Sequence, residues 1–169
     1  MIRVCFHGAE STGKSALARK LHAERGWPWV AEFGRGYCEA GGTDLAMADL
    51  LAIADGQDRA MRAKAAGDPA VVTLDTDPLM TAAWAQMLFG HVPAVLMQYE
   101  KAELYLLFSP DVPWVDDGTR FFGTREERAR FAQLAEQVLH RADLPFVRIS
   151  GDWAEREAQV LSAISRATP

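Results

Sequence analysis

A glycine-rich stretch near the start of the chain combines residue types that bind phosphate. It has the sequence Gly8-Ala9-Glu10-Ser11-Thr12-Gly13-Lys14-Ser15. In this pattern, known as a P-loop, glycines let the backbone turn its N–H groups toward phosphate oxygens. Lys14 would reach the β- and γ-phosphates of a nucleoside triphosphate, and the Ser15 hydroxyl would bind Mg²⁺. The predicted triphosphate-binding residues are Gly8, Glu10, Ser11, Thr12, Gly13, Lys14, Ser15 and Ala16, with Arg128 from farther along the chain.

A second feature is an acid that ends an apolar, β-branched run. Residues 70–75 finish in Asp75, and Asp77 follows two positions later. Because Mg²⁺ prefers oxygen ligands, an acid at a strand end can face the P-loop serine, and we predict Asp75 as a metal ligand. Asp77 has two interpretations: it is a second carboxylate at the site, or it caps the helix that starts with Pro78.

A third group of candidates follows another short apolar run, residues 27–31. Glu32 and Arg35 come directly after it. Ligand groups gather at the carboxyl ends of parallel strands, so both residues are candidates for substrate contact; a surface salt bridge is the alternative. If the bound triphosphate donates a phosphoryl group to a hydroxyl, a carboxylate must accept the proton of that hydroxyl. Glu32 and Asp77 are the two candidates for this base.

Residues 109–123 lack periodicity and are rich in prolines, glycines, acids and aromatic residues. We predict a lid at about residues 110–130, in which Trp114 would stack on an aromatic ring and Asp116 and Asp117 would grip hydroxyls. The lid arginines Arg120, Arg125 and Arg128 would cover the γ-phosphoryl group. The alternatives are a solvated loop and ion pairing of the arginines with Glu126 and Glu127.

The elements that must position these residues alternate along the chain. Apolar runs suitable for buried strands occur at residues 2–6, 27–31, 70–75, 104–108 and 146–149, with helical segments between them. This order predicts a three-layer α/β fold of the P-loop kinase type, around a parallel sheet of about five strands. With no linker or repeat, we expect one domain over residues 1–169.

Composition excludes several classes of partner. The net charge of −5 argues against nucleic-acid binding, which needs a basic face. No apolar run approaches 18 residues, so we expect no membrane span. Neither of the two cysteines has metal-ligand spacing, which favours a reduced, cytoplasmic protein. Oligomeric state cannot be derived from these patterns.

Four segments together resemble the ribosylnicotinamide kinase domain of the bacterial NadR proteins: the P-loop, Ala31–Arg35, Asp75–Asp77 and the Trp-Val-Asp-Asp-Gly-Thr-Arg sequence at residues 114–120. The resemblance implies ATP- and Mg²⁺-dependent phosphorylation of the 5′-hydroxyl of nicotinamide riboside to nicotinamide mononucleotide, in the salvage of NAD precursors. It also implies that Trp114 lies against the nicotinamide ring. The chain leaves no room for the adenylyltransferase and DNA-binding segments of NadR, so we expect neither of those activities.

Two other functions remain open at this point. One is a P-loop kinase for another nucleoside or a nucleotide, and the other is an ATP-binding switch outside metabolism. The sequence has no N-K-x-D signature of a GTPase and no L-S-G-G-Q-like segment of an ABC ATPase.

Overall fold

The apolar runs form strands and the intervening segments form helices in the computed structural model, which describes residues 1–114, 121 and 123–168. Within this part of the chain, the elements are β1 (Ile2–Gly8), α1 (Lys14–Arg25), β2 (Trp29–Val30), α2 (Phe33–Gly41), α3 (Met47–Ala65), β3 (Val71–Asp75), α4 (Pro78–Phe89), a 3₁₀ helix (Ala94–Met97), β4 (Leu104–Phe108), α5 (Arg125–Arg141), β5 (Phe146–Ile149) and α6 (Trp153–Ala167).

The strands form one parallel sheet in the order β2-β3-β1-β4-β5. The central strands are buried on both faces, which explains why their sequences are nearly continuous in apolar residues. Parallel neighbours need crossover connections, and the helices between successive strands provide them. The predicted five-stranded parallel α/β fold is confirmed.

Helices cover both faces of the sheet. Along β1, Val4 and Phe6 face a core formed with α1 and α6, whereas Cys5 faces the core formed with α3, α4 and α5. This alternation follows from the two-residue period of a strand. The sheet therefore lies between two hydrophobic cores, each covered by helices, which gives the predicted three layers. No helix formed by the described residues is long and apolar enough to cross a membrane.

The sequence predicts no particular element for the segment directly after β2. Residues 33–41 form α2, although Gly34 and Gly36 weigh against a helix. The reason is tertiary: the Phe33 ring lies so close to Gly56 of α3 that a Cβ at Gly56 would overlap it. Helix α2 thus packs closely on α3, and its first turn follows Glu32 directly.

Candidate active site

The carboxyl ends of β1 and β3 bring the P-loop and the acidic strand end together. The two strands pair in register, with Phe6 opposite Asp75, so the loop that follows Gly8 begins beside that acid. Helix α1 then starts at Lys14, and its N-terminal N–H groups and dipole favour a bound anion. This is the strand–loop–helix arrangement that a phosphate-binding loop requires.

Two glycines are required by the shape of the loop. Gly8 has φ +123°, and a Cβ there would lie 2.6 Å from the Phe108 carbonyl oxygen. Gly13 has φ +86°, and a Cβ there would overlap the ring of Trp153. Both positions therefore need a residue without a side chain.

The Lys14 side chain folds back onto its own loop and is only 8% exposed. Its ammonium donates hydrogen bonds to the carbonyl oxygens of Gly8 at 2.8 Å and Ala9 at 2.6 Å. The Thr12 hydroxyl donates to the same Ala9 carbonyl at 2.9 Å. These contacts fix a positive charge within the loop, where it can attract phosphate oxygens.

Asp75 and Ser15 face each other, as the sequence predicts for a magnesium site. Asp75 is 1% exposed and accepts a hydrogen bond from the Ser15 side chain. Burial raises the pKa of Asp75, while the charge of Lys14 and the Ser15 hydrogen bond act in the opposite direction. Its Oδ1 is buried and has no hydrogen-bond partner in the described part of the chain. A hydroxyl beside a buried carboxylate with an unused oxygen fits the oxygen-ligand chemistry of Mg²⁺.

Glu32 lies at the N-terminus of α2, beside the same cleft. Burial raises the pKa of Glu32 to about 7, and the negative charge of Asp75 acts in the same direction. Lys14 and Arg35 oppose the shift, and the Arg35 guanidinium is 4.0 Å from the Glu32 carboxylate. One quarter of the Glu32 side chain stays exposed. A partly accessible carboxyl with a pKa near neutrality has the properties of a general base.

Asp77 occupies a different environment. It is 1% exposed, accepts from the Leu79 backbone N–H as the N-cap of α4, and accepts from the Tyr105 hydroxyl. Burial raises its pKa, and these hydrogen bonds oppose the shift. The structure agrees with both interpretations drawn from the sequence, because Asp77 caps α4 and also lines the smaller cavity that Glu32 lines.

Asp77 also belongs to a buried polar cluster that the sequence spacing did not indicate. Its carboxylate, the Cys5 thiol and the His7 ring have ligand-type atoms within 4.8 Å of one another. The His7 Nε2 is 2.8 Å from the Ala135 carbonyl, and burial lowers the pKa of His7 to about 3. Burial also raises the pKa of Cys5, so both groups are uncharged at neutral pH.

Two neighbouring spaces lie beside these residues and share part of their lining. A cleft of about 340 Å³ follows the P-loop, and a narrower cavity of about 50 Å³ adjoins it. The residues that line both are Glu10, Glu32, Arg35, Thr76, Met80 and Trp84. Glu32 and Arg35 therefore lie where a group bound at the P-loop would meet a group bound in the cavity.

Sequence reasoning missed two residues of this region, Trp84 and Gln57. Trp84, on α4, has the helical spacing of a core residue, but its half-buried ring lines both spaces and packs with its centroid 4.8 Å from that of Phe121. Gln57, on α3, accepts from the Phe33 N–H at 2.7 Å and donates to the Thr76 carbonyl at 3.3 Å. It thereby fixes the start of α2, next to Glu32. The sequence gives no signal of this role, because Gln57 stands among the charged residues Asp55, Asp58 and Arg59, which suggest a solvated helix face.

The predicted lid residues lie only partly within the described chain. Asp116, Asp117 and Arg120 fall outside the described residues. Arg125 is exposed at the first position of α5.

Two other lid candidates have defined contacts. Trp114 is half-buried beside Gly123. Arg128 donates to the carbonyl oxygens of Ser11 at 3.2 Å and Val112 at 2.9 Å, which places its guanidinium against the P-loop backbone.

Comparison with known proteins agrees with this geometry. A family model described as an AAA domain matches residues 3–156. The trifunctional NAD biosynthesis/regulator protein NadR of Escherichia coli (strain K12) is 31% identical over 154 residues, which are 86% of this chain and 37% of NadR. The chain thus spans little more than a third of the length of this relative.

Solved structures give the same picture of the fold. NadR in complex with NR superposes with a TM-score of 0.81 at 24% identity, over 99% of this chain and 51% of that one. NadR in complex with NAD and AMP-PNP has a TM-score of 0.78 at 24% identity, over 99% and 49% of the two chains. A deoxyadenosine kinase from M. mycoides has a TM-score of 0.70 at 11% identity, over 98% and 100%. The chain has the fold of P-loop kinases, its resemblance to NadR is confirmed, and it belongs to the AAA domain family.

Proposed function

We propose that this protein transfers the γ-phosphoryl group of ATP to the 5′-hydroxyl of nicotinamide riboside. The observation that carries the proposal is the placement of Glu32. Its carboxyl has a pKa of about 7 and lies where the P-loop cleft and the adjoining cavity meet. A base at this junction is suited to a hydroxyl that must approach a bound triphosphate.

The donor side rests on the P-loop. Lys14 would hold the β- and γ-phosphates together with the N–H groups at the start of α1. Ser15 and Asp75 would hold Mg²⁺, which neutralises the phosphate charge when it is bound. The complex of the relative NadR with AMP-PNP supports ATP as the donor.

The reaction is a single displacement. Glu32 accepts the proton of the 5′-hydroxyl as its oxygen forms a bond to the γ-phosphorus. The bond from that phosphorus to the β–γ bridging oxygen breaks, and ADP leaves with that electron pair. Lys14 stabilises the charge on the phosphates. Arg120 and Arg125 remain predicted lid residues for the γ-phosphoryl group.

The acceptor side favours a nucleoside with a cationic base. The acids Glu10, Glu32 and Asp77 line the cavity together with a single arginine, Arg35, among its described lining residues. A nucleotide acceptor would bring its phosphate against these three carboxylates, whereas the pyridinium of nicotinamide riboside would be attracted by them. The Trp84 ring offers an aromatic surface for that pyridinium. Trp114, Asp116 and Asp117 remain predicted contacts of the riboside.

A coupled assay of ADP release over a panel of acceptors tests this proposal. Nicotinamide riboside should give a kcat/KM about tenfold or more above those of adenosine, deoxyadenosine, cytidine and nicotinamide mononucleotide. Turnover with one of these and none with nicotinamide riboside would overturn the assignment. In the same assay, Glu32→Gln removes the proposed base and should lose turnover. Glu24→Gln, which makes the same change at an exposed position of α1, is its control.

A second candidate is a kinase for a neutral nucleoside. The likeness of fold to a deoxyadenosine kinase favours it, but this likeness concerns the fold alone. The same panel decides between the two, because a neutral nucleoside gains nothing from the charges of the cavity carboxylates.

A further inference from the structure

Arg156 is the largest side chain that is completely buried in the described part of the molecule. It lies on the first turn of α6. Burying a charge is costly unless hydrogen bonds or an ion pair compensate it. Its guanidinium donates to the carbonyl oxygens of Gly151 at 2.8 Å, Ser109 at 3.1 Å and Thr12 at 3.2 Å, and it pairs with the Asp111 carboxylate. One side chain thereby joins α6, the segment after β4 and the P-loop.

The contact with Thr12 bears on phosphate binding because a peptide unit is planar. In a trans peptide the C=O of one residue and the N–H of the next point in opposite directions. Holding the Thr12 carbonyl on Arg156 therefore directs the Gly13 N–H away from α6. The P-loop cleft is lined by Thr12, Gly13 and Lys14, whereas Arg156 is buried behind the loop.

A second arginine acts on the preceding peptide. Arg128 donates to the Ser11 carbonyl, which by the same geometry orients the Thr12 N–H. Arg128 also donates to Val112, and Arg156 to Ser109, so both arginines connect the loop to the segment that follows β4. Successive P-loop peptides are thus held from outside the loop by α5 and α6.

Trp153 completes the support behind the loop. Its ring lies against Gly13, as the overlap with a Cβ at that position shows, and the Arg156 guanidinium lies 6.0 Å from the ring centroid. The guanidinium is thereby confined between an aromatic ring and three carbonyl oxygens. A planar fork of five donors fits such a site, and a lysine ammonium does not.

We infer that Arg156 is a positioning residue for the phosphate donor: it orients the Thr12–Gly13 peptide so that the Gly13 N–H faces the phosphates. This inference rests on the proposed function only in that a nucleoside triphosphate binds the P-loop. It assigns no contact between Arg156 and substrate.

Binding of AMP-PNP in the presence of Mg²⁺, measured by isothermal titration calorimetry, tests the inference without any acceptor. Arg156→Met keeps an unbranched apolar stem and removes all the donors of the side chain. We expect the Kd for AMP-PNP to rise about 10- to 100-fold, which is the value of one hydrogen bond from the Gly13 N–H to a charged phosphate oxygen. Arg156→Lys should raise the Kd about tenfold, because an ammonium cannot serve all three carbonyls.

Two controls separate positioning from stability. Val160→Ala removes volume from the buried face of the same helix, so it should lower Tm while leaving the Kd for AMP-PNP within about twofold of wild type. Asp111→Asn removes the negative charge but keeps an oxygen that can accept from Arg156, and it leaves the Thr12 contact in place, so this variant should also bind AMP-PNP within about twofold of wild type.

Wild-type affinity for AMP-PNP in a folded Arg156→Met protein would overturn the inference, whatever its Tm. If that variant does not fold, wild-type affinity in Arg156→Lys would overturn it equally. A wild-type protein that binds AMP-PNP but never phosphorylates nicotinamide riboside would contradict the proposed function and leave this test valid.

Discussion

Replacing Glu32 with glutamine should make the protein less active and, above neutral pH, more stable. Burial in the cleft and the neighbouring Asp75 charge raise the pKa of Glu32 from 4.5 to about 7. Since the folded state then binds the proton more tightly than the unfolded state, the associated stability is complete below pH 4.5 and is lost as the pH rises through 7. At pH 8 the ionised carboxylate destabilises the fold, and a neutral glutamine does not.

The pKa difference sets the size of the effect. Each unit of pKa corresponds to about 1.36 kcal/mol. A rise from 4.5 to about 7 therefore changes the free energy of unfolding by about 3 kcal/mol between low and high pH. One quarter of the Glu32 side chain stays exposed, and solvent screening reduces the penalty. We therefore expect Glu32→Gln to stabilise the protein by about 1 to 2 kcal/mol at pH 8 and by close to nothing at pH 4.5.

Urea unfolding at the two pH values, without nucleotide and with EDTA, measures this difference. Glu24→Gln is the matched control, because Glu24 is exposed on α1 and its removal should have the same small effect at both pH values. Turnover of Glu32→Gln should fall about 100-fold or more. A stability difference that does not change with pH would refute the electrostatic reasoning, and near-normal turnover would refute the role of Glu32 as base.

Three further substitutions test separate parts of the site. Lys14→Met should lower turnover about 100-fold or more with an unchanged far-UV circular dichroism spectrum; normal turnover would contradict the P-loop assignment. Trp84→Ala should raise the KM for nicotinamide riboside about 5- to 100-fold and leave the KM for ATP unchanged; the reverse pattern would place this ring on the donor side. Tyr105→Phe removes the hydroxyl that donates to Asp77, so it should lower the free energy of unfolding by about 1 to 3 kcal/mol in urea while kcat stays near normal; a large loss of kcat would favour Asp77 as the base.

The parts of the molecule that could be predicted from sequence depend on local chemistry. The P-loop pattern requires glycine at positions where the backbone has positive φ, and Gly8 and Gly13 have it. The acid that ends an apolar run was expected to face the serine of the loop, and Asp75 accepts a hydrogen bond from Ser15. Strands buried on both faces have continuous apolar sequences, so their order along the chain was evident.

The parts that could not be predicted depend on tertiary contacts. Helix α2 forms despite two glycines in its first four residues, because Phe33 packs against Gly56 of α3. Trp84 has the helical spacing of a core residue, and periodicity does not distinguish the wall of a cavity from the interior of a core. Arg156 lies on an amphipathic helix where an arginine is usually solvated, and only its contacts show that it is buried.

The P-loop sequence determines the shape of the phosphate-binding loop but not the orientation of the loop toward an acceptor. That orientation depends on residues far along the chain: Arg156 reaches Thr12 across 144 positions, and the Phe121 N–H donates to Glu10 across 111. A motif can therefore identify the donor half of such a site from a few residues, whereas the acceptor half exists only once α2, α3 and α4 have packed beside the loop. For the same reason the sequence left both Glu32 and Asp77 as candidates for the base. Both line the smaller cavity, but Asp77 is bound by Tyr105 and its own helix, whereas Glu32 also lines the P-loop cleft.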